Sequence, residues 1–268
     1  MGARGRQGRR AAVIRSGAAL LLAAFLAAPL PAAAPVAVAA AANLAPVLEP
    51  LEAAFRAWRP AVKLTLTVGA SGSLHAQIRQ GAPFDVLLAA DTDYPRALVA
   101  AGDADPATLR VFARGRLVFW TLRGPLAGED LRTALAGRPW ATLALAQPRT
   151  APYGRAAEAV LRELGFLPAT GTRLVLGETV AQAAQFVESG AAEGGFVALA
   201  AVLSPRLAGR GYWREVLPEL HPGVTLDHAA VLTRRGAARA EARAFLDFLA
   251  GEEAQATLRR FGYTPPVP

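Results

Sequence analysis

The spacing of apolar side chains alternates along the chain between a helical and an extended period. From residue 44 to residue 58 the apolar positions recur every three or four residues, which predicts an amphipathic helix. Short apolar runs predict buried strands, and these runs lie at residues 36–39, 85–90, 141–145 and 195–199. Because strands and helices alternate, the pattern predicts an α/β fold with mostly parallel sheets.

The same two periods define the remaining elements. Further strands are predicted at residues 63–68, 116–121, 174–176 and 229–233. Further helices are predicted at residues 74–80, 94–101, 156–164, 179–189, 239–250 and 252–261. In sheets of this kind, ligands bind beyond the carboxyl ends of the strands. The turns that follow the strands are therefore the first places to look for chemistry.

Two of these turns carry a polar side chain where a helix is predicted to begin. Asn43 follows the strand at residues 36–39, and Ser71 follows the strand at residues 63–68. The first N–H groups of a helix lack an intrahelical partner and lie at the positive end of the helix dipole, so two such ends form an anion site without a cation. Asn and Ser are also favoured N-cap residues, and ordinary capping is the alternative for each alone. Together the turns predict a site for a small oxyanion.

Positive charge is concentrated at the N-terminus. The chain has 268 residues and a net charge of +8, but five arginines and no acidic residue lie within residues 1–35, which leaves 24 basic against 21 acidic residues. These arginines precede an apolar stretch at residues 17–30, which is short for a membrane span. Residues 1–34 are therefore predicted to be a signal peptide for export. The remaining basic residues form no stripe, so we expect no nucleic-acid partner.

The chain has no cysteine, which excludes a disulfide, a thiolate metal site, a cysteine nucleophile and a lipid anchor on cysteine. An exported protein of this kind would be free in the periplasm. His75, His221 and His228 are far apart in sequence, without metal-ligand spacing. Asp85 and Asp91 resemble a carboxylate pair, but no base or metal partner accompanies them, so we expect structural roles for both.

Several motifs follow one another in a fixed order, at residues 38–44, 69–74, 81–86, 90–91, 150–156, 177–180, 244–249 and 260–263. Together they resemble the periplasmic molybdate-binding proteins of ABC transporters. The resemblance implies a two-lobed periplasmic-binding-protein fold in which each lobe is a mostly parallel sheet flanked by helices. Residues 35–114 plus 230–268 would form lobe I, and residues 115–229 would form lobe II. Two chain crossings, near residues 116–119 and 226–230, would form a two-strand hinge.

The resemblance also implies the ligand site, in the cleft between the lobes. The family's ligand positions fall on Asn43, Ser71, Tyr153 and Val180, and Val180 would contribute only its backbone N–H. Many family members place a tyrosine at the position matched by Ala198, and Tyr153 would take over that role here, through its hydroxyl or its backbone. The implied ligand is molybdate or tungstate, held by hydrogen bonds without direct metal ligands or a cofactor. The implied partners are a membrane permease and its ATPase, and the protein would be a monomer.

Two alternatives to this reading differ in chemistry. A shell of N–H and O–H donors favours an unprotonated dianion over phosphate, which carries a proton near neutral pH and needs an acceptor. The same fold could be tuned to sulfate or another tetrahedral oxyanion. An exported hydrolase of phosphate or sulfate esters would need a nucleophile with a base, or a metal site, and the sequence spacing supports neither. We therefore expect a binding protein and not an enzyme.

Overall fold

The computed structural model describes residues 1–2, 34–166 and 171–266. The chain divides into a unit of residues 1–34 and a unit of residues 35–268. The predicted signal peptide at residues 1–34 lies almost entirely outside the described residues. Among the residues that are described, no helix has the length and apolar character needed to cross a membrane.

The strands and helices of the second unit follow the predicted alternation. The strands are β1 (Val36–Ala41), β2 (Leu64–Gly69), β3 (Val86–Ala89), β4 (Arg110–Arg114), β5 (Leu117–Thr121), β6 (Thr142–Ala146), β7 (Arg173–Gly177), β8 (Gly194–Ala198), β9 (Tyr212–Glu215) and β10 (Asp227–Leu232). The α-helices are α1 (Ala45–Trp58), α2 (Ser71–Arg79), α3 (Asp93–Ala100), α4 (Leu131–Ala136), α5 (Pro152–Glu163), α6 (Val180–Glu188), α7 (Leu199–Val202), α8 (Arg234–Ala237), α9 (Ala240–Ala250) and α10 (Glu252–Arg260). Short 3₁₀ turns lie at Ala42–Leu44, Pro106–Thr108 and Pro218–Leu220.

Two five-stranded sheets organise the unit. The first has the strand order β2-β1-β3-β10-β4, in which β1 is parallel to both neighbours and β10 is antiparallel to both of its own. The second has the order β7-β6-β8-β5-β9, with β6 parallel to its neighbours and β5 antiparallel to β8 and β9. We refer to the part built on the first sheet as lobe I and the part built on the second as lobe II. The predicted two-lobed α/β fold is confirmed, but the sheets are mixed and not mostly parallel, because each has two parallel and two antiparallel strand pairings.

The chain passes between the two sheets at two adjacent places. The first crossing joins β4 to β5 through Gly115, and the second leads from β9 to β10. The backbone N–H of Gly115 donates to the carbonyl of Leu226, with an N···O distance of 2.9 Å. Beside this bond, Arg114 on the first crossing pairs with Asp227 on the second, with an N···O distance of 2.6 Å. Strand β10 starts at Asp227, ahead of residue 230, where lobe I is predicted to resume.

Each lobe has its own apolar core between sheet and helices. In lobe I, the buried face of α1 packs against the C-terminal helices, and the rings of Phe55 and Phe245 meet edge to face with centroids 5.1 Å apart. In lobe II, Phe119 on β5 packs edge to face against both Trp140 and Phe196. Because the C-terminal helices return to lobe I, they anchor the second crossing to the same core as the first strands.

Candidate functional site

A small cavity lies between the lobes at the carboxyl ends of parallel strands. Its volume is about 10 Å³ for the centre of a water-sized sphere, which is the room of about one water molecule and excludes an organic solute. None of the described residues around it carries a formal charge. Its lining consists of Ala41, Ala42, Asn43, Gly69, Ala70, Ser71, Ala90, Ala151, Pro152, Tyr153, Thr179 and Val180.

Four helical segments begin at this cavity, two from each lobe. From lobe I come the 3₁₀ turn Ala42–Leu44 and helix α2, and from lobe II come helices α5 and α6. The first-turn N–H groups of a helix have no carbonyl partner within it, and the helix dipole adds partial positive charge there. The four starts therefore give the cavity a positive potential without a charged side chain, which is the arrangement that binds an anion.

All four residues predicted for the site lie on this one cavity, and the structure does not show ordinary N-capping, the alternative for Asn43 and Ser71. Ala41 and Ala70 occupy the N-cap positions before the 3₁₀ turn and α2, and neither makes a side-chain cap bond. Asn43 and Ser71 lie one or two residues further along, inside the first turn. Their side chains bond to other segments of lobe I, so the helix starts keep N–H groups that are not used by a cap.

The hydroxyl of Ser71 is buried and oriented by the neighbouring strand end. The side chain is 1% exposed, and its Oγ accepts a hydrogen bond from the backbone N–H of Ala90 at 3.0 Å. Because the oxygen accepts from Ala90, the hydroxyl proton stays available for donation to a ligand. Ser71 can therefore offer an anion both its O–H and its backbone N–H.

The carboxamide of Asn43 is occupied within lobe I. Its Nδ2 donates to the hydroxyl of Tyr263 at 2.9 Å and also contacts Nε2 of His228. The hydroxyl of Tyr263 in turn donates to the backbone carbonyl of Asn43 at 2.8 Å. A carboxamide nitrogen has two hydrogens, and both are used by these partners. The donor that Asn43 can offer to an anion is therefore its backbone N–H.

The hydroxyl of Tyr153 lies at the first chain crossing. Any Cβ on residue 115 would overlap both this hydroxyl and the ring of His228, so only glycine allows their approach. Burial, aided by the nearby Tyr263, raises the pKa of the Tyr153 hydroxyl well above its ordinary value, so the phenol is neutral. Tyr153 is the second residue of α5, where a backbone N–H has no intrahelical partner. The geometry thus favours the backbone as the donor of this residue.

Val180 and Ala198 complete the comparison with the predicted site. Val180 is the first residue of α6, and the preceding Thr179 caps that helix by accepting from the N–H of Gln182 at 3.1 Å. This cap leaves the N–H of Val180 unused by the helix. Ala198, at the position of the family's tyrosine, lines a separate groove of about 640 Å³ that also touches Asn43 and Val180.

Along one edge of the cavity the lobes contact each other through polar groups, which we call the rim contacts. The backbone N–H of Gly72 donates to the carbonyl of Thr150 at 2.9 Å, and the hydroxyl of Tyr94 donates to the carbonyl of Arg149 at 3.2 Å. A Cβ on residue 72 would overlap the Tyr94 hydroxyl, so glycine is needed for this approach. These bonds join α2 and α3 of lobe I to the segment before α5 in lobe II, and they hold the lobes closed.

An ion pair extends the rim contacts. Arg155, in the first turn of α5, pairs with Asp91 of lobe I at 2.5 Å. The Asp91 side chain is 3% exposed, and burial raises the pKa of this carboxyl while the bond to Arg155 opposes that rise. Asp85, by contrast, is fully buried and accepts from the N–H of Ala37 while it pairs with Arg239. Both aspartates therefore hold the fold together, as expected from the sequence.

Two lobes, two crossings and an uncharged donor-lined cavity between them define a two-lobed solute-binding protein. Residues 36–264 match the sequence family of bacterial extracellular solute-binding proteins. The molybdate-binding protein ModA of Azotobacter vinelandii is 38% identical over 202 residues, which are 75% of this chain and 79% of that protein. The ModA protein of Rhodobacter capsulatus is 38% identical over 200 residues, which are 75% of this chain and 77% of that protein.

Solved structures agree with these sequence matches. The periplasmic molybdate-binding protein of Azotobacter vinelandii superposes with a TM-score of 0.78 at 32% identity, covering 87% of this chain and 100% of that one. The sulfate-binding protein SubI of Mycobacterium tuberculosis H37Rv shares the fold, with a TM-score of 0.66 at 18% identity over 87% of each chain. The chain belongs to the bacterial extracellular solute-binding proteins and, among them, to the ModA family.

Proposed function

We propose that this protein captures molybdate or tungstate between its two lobes and delivers the anion to an ABC permease and its ATPase. The observation that carries the proposal is the convergence of four helix starts on one cavity whose lining has no charged residue. The relatives named above support the choice of anion, since two of them are molybdate-binding proteins at 38% identity.

The donor set suits a tetrahedral dianion. Such an ion has four oxygen acceptors and no donor, and this site offers the hydroxyl of Ser71 together with backbone N–H groups of Asn43, Ser71, Tyr153 and Val180. Each hydrogen bond to a charged group contributes about 1.5–3 kcal/mol. Because these donors come from both lobes, the complete shell exists only in the closed form, and the anion therefore favours closure.

Transport also needs release, and the two crossings supply the movement. Opening about Gly115 and Leu226 would separate the donors of lobe I from those of lobe II and divide the shell between them. A permease that favours the open form would lower the affinity for the anion by that route. We further propose a monomer that is free in the periplasm, without a lipid anchor, and that uses no cofactor and binds no nucleic acid.

Calorimetric titration of the purified protein tests the choice of anion. Molybdate and tungstate should each bind with a stoichiometry of one. Phosphate should bind at least about 100-fold more weakly, since its proton finds no acceptor in the shell. Sulfate should also bind more weakly, since it is a smaller dianion and its hydrogen bonds to the same donors would be longer. Absence of binding to molybdate and tungstate would overturn the proposal.

Sulfate is the second candidate because the cavity is small, about 10 Å³ for the centre of a water-sized sphere. Tighter binding of sulfate than of molybdate in the same titrations would establish this alternative.

Ester hydrolysis is a third outcome to be tested, with p-nitrophenyl phosphate and p-nitrophenyl sulfate. The relatives named above are molybdate-binding proteins. Within the described ranges, no group of three His, Asp or Glu side chains is placed to hold a metal ion. We therefore propose that the protein has no catalytic activity, and release of p-nitrophenol by the purified protein would contradict this.

A further inference from the structure

His228 occupies the point where the chain crossings meet two of the candidate anion residues. It is the second residue of β10 and is fully buried. On one side it contacts the carboxamide of Asn43, and on the other its ring packs edge to face against Tyr153, with centroids 6.2 Å apart. Gly115 of the first crossing lies against the ring of His228 and the hydroxyl of Tyr153. The histidine thus touches lobe I, lobe II and the hinge at once.

The partners of the ring fix its protonation and tautomer. Its Nδ1 lies 2.8 Å from the carbonyl of Leu226, which can only accept, so Nδ1 carries the hydrogen. In the neutral ring Nε2 is then an acceptor, and it receives one of the two amide hydrogens of Asn43. Burial lowers the pKa of His228 to about 4, in agreement with a neutral ring. In a protonated ring, Nε2 would carry a hydrogen that faces the amide hydrogens of Asn43, and the hydrogen bond between the two groups would be lost.

The 3₁₀ turn that carries Asn43 needs an anchor of this kind. The turn is only three residues long, Ala42–Leu44, and its N-cap residue Ala41 makes no side-chain cap bond. Three contacts hold the turn from outside, namely the contacts of the Asn43 carboxamide with His228 and Tyr263 and the bond from Tyr263 to the Asn43 carbonyl. Loss of any of them frees the peptide whose N–H lines the cavity.

We propose that His228 is a positioning residue for anion binding. It holds the 3₁₀ turn so that the backbone N–H of Asn43 points into the cavity. His228 does not touch the anion itself. The proposal rests on the proposed function for its ligand, but the placement of the turn by His228 can be measured without any ligand.

A set of three single variants tests the proposal by calorimetry with molybdate. His228→Leu should weaken binding about tenfold, because the amide of Asn43 loses its acceptor. His228→Gln should stay within about threefold of the parent protein, since its amide can accept from Asn43 and donate to Leu226. His221→Leu is the matched control: His221 is also buried and also contacts a carbonyl through Nδ1, that of Val224, but it does not line the cavity. This control should bind like the parent protein.

The double variant His228→Leu with Asn43→Ala separates positioning from general damage. If His228 acts through Asn43, the double variant should bind no more weakly than Asn43→Ala alone. Parent-like binding by His228→Leu would overturn the proposal. Equal defects in His228→Leu and His228→Gln, or a matching defect in His221→Leu, would do the same.

Hydrogen exchange of the free protein gives a readout that is independent of the ligand. The amide of Ala45 donates to the carbonyl of Ala42 and closes the 3₁₀ turn. It should exchange faster in His228→Leu than in the parent protein and in His228→Gln, while the thermal midpoint reports global stability. If the parent protein binds no oxyanion, the proposed function fails and this measurement still decides the role of His228. Unchanged exchange at Ala45 would refute the positioning role.

Discussion

Ser71→Ala is the substitution that most directly tests the anion shell. The change removes one hydroxyl that is 1% exposed and leaves the cavity otherwise intact. Two interactions are lost together. One is donation from the hydroxyl to the bound anion, and the other is acceptance of the Ala90 N–H at 3.0 Å. The first affects only the complex, whereas the second affects the protein with and without ligand.

The sizes of the two losses follow from the partners. A hydrogen bond to a charged group contributes about 1.5–3 kcal/mol, which corresponds to a dissociation constant that is about 10- to 100-fold higher. The N–H of Ala90 is left without its acceptor in a buried position, which costs about 1–3 kcal/mol of unfolding free energy. We therefore expect the variant to be folded, less stable in the absence of ligand, and weakly binding.

Calorimetry and urea unfolding, each with and without molybdate, measure the two effects separately. Stabilisation by a ligand grows with the ratio of its concentration to the dissociation constant, so molybdate should stabilise Ser71→Ala less than the parent protein. Ser73→Ala is the matched control, because Ser73 is exposed on the same turn of α2. It should change neither quantity. A dissociation constant in Ser71→Ala equal to that of the parent would remove this hydroxyl from the anion shell.

Three further outcomes follow from the site. Tyr153→Phe should leave the molybdate dissociation constant within about twofold, because the backbone is the donor; a tenfold loss would place the hydroxyl on the anion. Arg155→Gln should release molybdate about fivefold faster in stopped-flow fluorescence, because a rim contact worth about 1 kcal/mol is lost. Arg162→Gln is the control, because Arg162 is exposed on the same helix, and it should release molybdate at the rate of the parent protein. Burial lowers the pKa of His228 from 6.5 to about 4, so the unfolded chain takes up this proton first as the pH falls. The free energy of unfolding should therefore decrease between pH 6.5 and pH 4, and the decrease should be about 3 kcal/mol larger in the parent protein than in His228→Gln. Urea unfolding at several pH values measures this, and an equal decrease in the two proteins would contradict it.

The sequence pattern predicts eight of the ten strands in the described residues and misses two that lie at sheet edges. Strand β4 has arginine at both ends, and β9 has exposed aromatic residues, so neither shows the apolar run of a buried strand. The short helices α4, α7 and α8 are also missed. Helices α2 and α5 begin at Ser71 and Pro152, earlier than the predicted starts at residues 74 and 156. Their first turns, Ser-Gly-Ser and Pro-Tyr-Gly, border the cavity, and the apolar period begins only after them.

The candidate site divides in the same way. The ordered motifs locate Asn43, Ser71, Tyr153 and Val180, and the structure brings all four to one cavity. The side chains of Asn43 and Ser71 bond to other segments of lobe I instead of capping a helix, and the pattern cannot show which partner a buried side chain will find. The sequence spacing excludes His228 from a metal site but gives it no other role, since its partner Asn43 lies 185 positions away in the chain. Only the assembled sheet, in which β10 lies beside β3, makes them neighbours.

The supply of donors by the main chain has a consequence for the evolution of this cleft. A peptide N–H is present in every residue except proline, so most amino acids at positions 153 and 180 can present the same hydrogen to the ion. Substitutions can therefore accumulate at these two positions among relatives while the binding geometry persists, because the shape of the loops is inherited and not the identity of the side chains. Proline is the residue that this inheritance forbids at both.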